Sequence, residues 1–349
     1  MKRMSAPLAV LLVLTCSSLH AATRTWYIAV EETDWNYFPA GPGQLDTATL
    51  DNRQRQQVNA SDQHLGSIYK KVIYRAYTDD TFTTLAEHPA WQGFLGPVLH
   101  AEAGDHINVV LRNNAARPYS FVIDGLMENS ISKQGNRAVP PGATYRYQWD
   151  LDASAGPGPN DPSSVAWFYH SDVDRLRDLQ SGLAGMLIVT RRGLARTDAT
   201  PVDVDHEWVM VSAITDENQS WYIPDNETRV AEKQQGKRDF VRSNRMANIN
   251  GFSHGTLPTP VADVCSRIRV YHLALAASQP LLSLRWEGNN VLIDGQRRSS
   301  IDTPYDNVSI AQLSSLHAGT WRVEASQPAL RQQGLYAHYQ LTPSDQPCH

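Results

Sequence analysis

Apolar and polar residues alternate along this chain in short runs. Clear strand-like cases are residues 25–30 (TWYIAV), 107–111 (INVVL), 144–149 (TYRYQW), 207–211 (EWVMV) and 185–189 (GMLIV), the last apolar throughout. Each run is rich in β-branched or aromatic side chains and is bounded by Gly, Pro, Asn and Asp clusters, the pattern of strands separated by turns. Helical spacing of apolar residues is scarce. Many short strands at regular intervals predict an all-β protein built from sandwiches or barrels.

The runs fall into two series. Between them lies residues 191–203 (RRGLARTDATPVD), a polar stretch without periodicity. The first series predicts a domain over residues 23–195 and the second a domain over residues 205–349, an arrangement that suggests tandem duplication. A chain of 349 residues is also too long for one ordinary core and suits two.

The first 22 residues differ from the rest. Lys2 and Arg3 precede an apolar stretch from Leu8 to Leu14, and small residues at Ala21 and Ala22 offer a cleavage point. This is the layout of a secretory signal peptide, so the mature chain is expected to be secreted or periplasmic. The apolar run is too short to span a bilayer, and no later run is longer. Net charge is −5, and −7 once Lys2 and Arg3 are removed, which argues against a nucleic-acid partner. Asn-x-Ser/Thr sequons begin at Asn59, Asn218, Asn226 and Asn307 and would carry glycans only in a eukaryotic host.

Removing the leader takes Cys16 with it and leaves Cys265 and Cys348. An even pair in an exported protein most simply forms a disulfide, with two buried thiols as the other outcome. The chain shows no metalloprotease helix motif, nucleophile elbow, phosphate loop or dinucleotide fingerprint.

Residues 117–125 (RPYSFVIDG) and 156–173 (GPGPNDPSSVAWFYHSDV) resemble the copper-ligand strands of the multicopper oxidase family, in its branch of ceruloplasmin and the coagulation factor V and VIII A domains. Residues 23–37, 69–82, 95–105, 140–149, 244–251 and 319–324 continue the resemblance in order along the mature chain. It implies two tandem cupredoxin-like Greek-key β-sandwich domains. It also implies a disulfide between Cys265 and Cys348, and places the first domain's equivalent cysteine pair at Ser164 and Thr190.

The copper positions implied by this resemblance carry other residues. A type-1 centre needs a thiolate and imidazoles, but its positions hold Ala325, Leu330, Leu335 and Leu282. The trinuclear positions hold Val122, Asp124, His170 and Asp172 in the first domain, and Arg285, Glu287, Glu324 and Ser326 in the second. One imidazole remains, so the standard sites for copper are absent by this alignment.

Asp124, His170 and Asp172 are the candidate site. If the strand positions carry over, Asp124 and His170 face one another and Asp172 lies on the same strand face as His170. The three side chains fit three outcomes. They would form an acid/base pair in which Asp124 orients His170, a mononuclear site for a divalent ion such as Zn, Mn or Fe, or a salt-bridged remnant facing Arg285 and Glu287 across the cleft. The expected function is that of a multicopper-oxidase-like protein stripped of its usual centres, acting through a repurposed interdomain cleft or as a binding protein. A biosynthetic enzyme using the Asp/His pair on a small molecule is one alternative, and an oxidoreductase with an atypical copper or other mononuclear site is another. The partner is a small molecule or a protein.

Overall fold

The computed structural model describes residues 21–39, 50–129, 138–275 and 280–344. The leader up to residue 20 and Cys348 lie outside the described residues.

The alternating runs become two β-sandwiches. In the first half the strands are β1 (Thr23–Asn36), β2 (Ile68–Tyr77), β3 (Val98–Glu102), β4 (His106–Asn113), β5 (Val122–Ile123), β6 (Thr144–Asp150), β7 (Ser164–His170) and β8 (Ala184–Thr190). They form sheets of order β2-β1-β4-β6 and β3-β8-β7-β5. In the second half come β9 (His206–Asp216), β10 (Arg245–Ile249), β11 (Val261–Asp263), β12 (Ile268–Leu275), β13 (Leu281–Trp286), β14 (Asn290–Ile293), β15 (Gln296–Arg298), β16 (Ser300–Pro304), β17 (Val308–Ser314), β18 (Gly319–Ala325) and β19 (Tyr336–Thr342). Their sheets run β10-β9-β12-β17-β14-β15 and β11-β19-β18-β13-β16.

The two halves repeat one plan. The first strand runs parallel to the fourth in each, β1 with β4 and β9 with β12, and the third runs parallel to the last, β3 with β8 and β11 with β19. Register carries the repeat to single residues. Val122 stands opposite His170 on β5 and β7, and Arg285 opposite Glu324 on β13 and β18. Ser164 and Thr190, both fully buried, stand opposite one another on β7 and β8.

Each sandwich has its own core, and a third core lies between them. Along β8, Leu187 and Val189 pack into the first sandwich while Met186 and Ile188 face the other way. Along β9, Trp208 and Met210 enter the second sandwich while Val209 and Val211 face back. Met186, Ile188, Val209 and Val211 join Tyr37, Tyr69, Phe94, Tyr271 and Leu273 in the middle core. Period-two alternation therefore supplies two apolar faces per strand here, which is why β8 reads as an unbroken apolar run.

Polar bonds close both flanks of this seam. On one, the Lys71 ammonium lies 2.5 Å from Glu217 Oε1, which also accepts from Tyr37 at 2.6 Å, and both charged side chains are fully buried. Burial pulls the Lys71 amine down and pushes the Glu217 carboxyl up, each opposed by the charge of the other. On the other flank, Arg269 donates to Ser163 and Ser164 at 2.7 and 2.6 Å, Ser164 bonds Tyr271, and Tyr271 and His100 bond the two oxygens of Glu207. Gly93 sits at φ +63°, where an added Cβ would meet the Asn250 carbonyl oxygen of the other half at 1.8 Å, so the approach of the halves there requires glycine.

Short helices fill the connections, among them α1 (Asn52–Val58), α2 (Arg175–Ser181), α3 (Ile223–Glu227), α4 (Arg238–Ser243) and α5 (Pro328–Gln332). None of the described helices is long and apolar enough to cross a membrane. Cys265 lies in the turn between β11 and β12 at φ +68°; the partner expected for it, Cys348, lies outside the described residues.

Candidate functional site

The site grows out of the end of β7. That strand stops at His170, and α2 begins five residues later with Arg175. Asp178 makes this sharp junction: its buried carboxylate accepts from Ser171 Oγ at 2.6 Å, from the Val173 and Asp174 amides at 3.2 Å, and from Trp221 Nε1 at 2.8 Å. Burial nevertheless raises the Asp178 carboxyl above the usual range. Asp174 caps α2 by accepting from the Arg177 amide.

Asp124 follows β5 directly, and its amide donates to the Phe168 carbonyl of β7 at 2.8 Å. Gly125 next to it adopts φ +80° with Trp167 packed where a Cβ would be, so the turn that presents Asp124 is built on glycine. The result brings Asp124 Oδ1 to 3.0 Å from His170 Nε2. His170 has no solvent exposure, and its Nδ1 donates to the Ser171 carbonyl at 2.8 Å.

A residue without a motif completes the group. The Arg175 guanidinium contacts His170 Nε2, lies 3.3 and 3.0 Å from the two oxygens of Asp124, and reaches Asp306 Oδ2 of the second sandwich at 2.6 Å. Asp306 occupies the turn between β16 and β17 at φ +63°, and its buried Oδ1 has no hydrogen-bond partner. Burial acts to raise the Asp124 carboxyl, but the hydrogen bonds and charges of His170 and Arg175 outweigh it and hold the group at about 2. The same carboxylates raise the Arg175 guanidinium, against burial.

Asp172 stands differently from its neighbours. With β7 ended at His170, the two-residue alternation no longer sets its direction, and its amide donates to Ser120 Oγ at 2.9 Å. Arg285 and Glu287 pair with one another at 2.8 Å, and Arg285 also reaches Glu324 at 2.6 Å. Arg322 and Arg331 close on the same nearly buried Glu324 carboxylate at 3.1 and 3.0 Å. The second-sandwich residue that reaches Asp124 through a shared partner is thus Asp306.

Arg175 is also part of the wall of a cavity of about 220 Å³ between the sandwiches. Its walls are mainly apolar, with Phe94, Leu179, Val211 and Leu275 among them, and Gln180, Thr215 and Asn248 supply polar points. Apolar enclosure with a few fixed polar groups is the make-up of a small-molecule site.

The residues that the resemblance puts at the type-1 positions sit together in the core of the second sandwich. Ala325 and Leu335 are fully buried, Leu282 and Leu330 nearly so, and none offers a donor atom to a metal. Among the described residues, no three His, Cys, Asp or Glu side chains are already grouped at metal-holding spacing. The sequence reading missed Arg175 and Asp306. Neither belongs to a recognisable pattern, and only the turn after β7 and the packing of the two sandwiches bring them to His170.

A sequence profile of the family described as multicopper oxidase matches residues 86–194. The chain is similar to ferroxidase HEPHL1 of Homo sapiens, 32% identical over 91% of this chain and 29% of that protein, and to ceruloplasmin of Homo sapiens, 30% identical over 96% and 33%. It therefore spans about a third of the length of these relatives. Among solved structures it is similar to a multicopper oxidase with a TM-score of 0.58 at 17% identity, covering 92% of this chain and 89% of that one.

Proposed function

The chain belongs to the multicopper oxidase superfamily of cupredoxin proteins, and from that premise we propose that it is an exported member that has lost the type-1 and most of the trinuclear copper ligands and works by binding a small molecule in the cleft between its two sandwiches. The observation that carries this reading is the apolar cavity of about 220 Å³, enclosed by both sandwiches and edged by Arg175. The chemistry of the former copper positions supports it, since the type-1 place is filled with Ala325, Leu282, Leu330 and Leu335. The acid/base alternative has less support. His170 is fully buried, its Nδ1 is engaged by the Ser171 carbonyl and its Nε2 by Asp124 and Arg175, which leaves no ring nitrogen facing a substrate. Export rests on the leader sequence of residues 1–22, and it makes a Cys265–Cys348 disulfide the expected state of the two remaining cysteines.

Metal analysis of the purified mature chain, after loading with copper and dialysis, tests the first part. The expected result is substoichiometric copper and no blue absorption band; a stoichiometric copper content overturns the reading. An environment-sensitive apolar fluorophore tests the second. It should bind the wild-type chain and lose about tenfold in affinity when Ala213, a β9 residue in the same wall, is enlarged by Ala213→Trp to fill the cavity, whereas equal binding by both places the ligand elsewhere. Denatured without reductant, the same preparation should show no thiol that reacts at Cys265 or Cys348.

A further inference from the structure

His170, Asp124 and Asp306 come from the end of β7, the turn after β5 and the turn between β16 and β17. All three converge on one cation, the Arg175 guanidinium, through a contact to His170 Nε2 and distances of 3.3, 3.0 and 2.6 Å to carboxylate oxygens. The imidazole is arranged as a metal-binding imidazole usually is, with the far ring nitrogen donating to a main-chain carbonyl, here that of Ser171 at 2.8 Å, which leaves Nε2 as the ring atom that meets Arg175 and Asp124. The buried Asp306 Oδ1 has no donor, so this cluster still holds unused capacity for positive charge. Charge counting agrees. With the imidazole neutral, as a metal ligand must be, two carboxylates around one guanidinium leave a net −1, and a divalent ion would balance them.

We propose that the Arg175 guanidinium is a fixed internal cation standing in the place of a metal ion, and that removing it opens a divalent-cation site made of His170, Asp124 and Asp306. The inference rests on the reading that copper is no longer held here, and it explains what keeps a buried imidazole and two carboxylates together without it. One imidazole and two carboxylates suit zinc or manganese rather than the softer, thiolate-seeking ions. The nitrogen–oxygen spacings around Arg175 exceed a zinc–oxygen bond of about 2.0–2.2 Å, so the ligands must close inward by about 1 Å when the ion enters.

The test compares zinc binding, by titration calorimetry, of the wild-type chain with Arg175→Ala, Arg175→Met and Arg175→Lys. The alanine and methionine variants should bind one zinc at least about tenfold more tightly than the wild type. Arg175→Lys keeps a cation in place and should gain nothing. Adding His170→Ala to Arg175→Ala should abolish the gain, which assigns the ion to this cluster. If the alanine variant is unstable alone, zinc should raise its melting temperature while magnesium does not. The proposal is overturned if both neutral variants fold and bind zinc no better than wild type, if the gain survives His170→Ala, or if they stay unfolded with zinc present. Stoichiometric copper in the wild-type chain would instead strike at the functional reading, so the two failures are told apart.

Discussion

His272 sets an acid limit by itself. It is fully buried, with Nδ1 at 2.7 Å from Thr303 Oγ1 and Nε2 at 3.0 Å from Ser212 Oγ, and burial pulls it from 6.5 to about 3. Burial likewise pulls His254 down to about 4. Both folded-state values lie below the unfolded one, so the unfolded chain gains protons first as the pH falls. The stability these groups confer is complete above about pH 6.5 and drains away towards pH 4, with a limiting slope of about 1.4 kcal/mol per pH unit for each. Urea midpoints measured from pH 7 to 4.5 should therefore fall less steeply in His272→Asn than in wild type, and an unchanged slope would refute the assignment. Asp124 acts in a separate window, its contribution present above 3.8 and lost only as the pH falls towards about 2. The placement of Asp124 beside His170 was legible through the resemblance, because the strand sequences that lead to both are intact. Arg175 and Asp306 were not, because their meeting depends on how one turn and two sandwiches pack.

At the scale of elements, register carries the information. The resemblance puts an equivalent cysteine pair at Ser164 and Thr190, and β7 and β8 hold those two residues opposite one another. Cross-strand partners lie at Cα separations a disulfide can span. The double variant Ser164→Cys, Thr190→Cys should therefore bridge under oxidising conditions, as a mass difference on reduction would show. The closed loop would contribute about 3.5 kcal/mol in the chain-entropy account. Loss of the Ser164 bonds to Arg269 and Tyr271 costs about 1–3 kcal/mol in return. The melting temperature should accordingly rise little, and a fully reduced double variant would show the register argument to fail. Strand existence was readable at β1, β4, β6, β8 and β9, where the apolar, β-branched and aromatic runs between turn clusters mark it. The end of β7 at His170 was not, since residues 171–173 continue without a glycine or proline to mark the stop, and it is Asp178, seven residues ahead of Ser171, that pulls the chain away.

The molecule as a whole depends on its middle seam. Lys71 and Glu217, 146 residues apart, form a fully buried pair across it. Removing one partner strands the other charge, so Glu217→Leu alone should cost about 3–5 kcal/mol, whereas Lys71→Met with Glu217→Leu should recover most of that loss. Chemical denaturation of the three variants checks this, and a double variant as unstable as the single one would contradict it. Two cupredoxin sandwiches were readable from the resemblance. The third core was not, because strands β8, β9 and β12 advertise only that they are apolar, and nothing in one strand's sequence says which sheet covers its second face. That seam also has a meaning for unfolding. Because the middle core and the Lys71–Glu217 pair draw on both sandwiches, neither half can open without baring apolar surface and a buried charge on the other, so the two should melt as one cooperative unit.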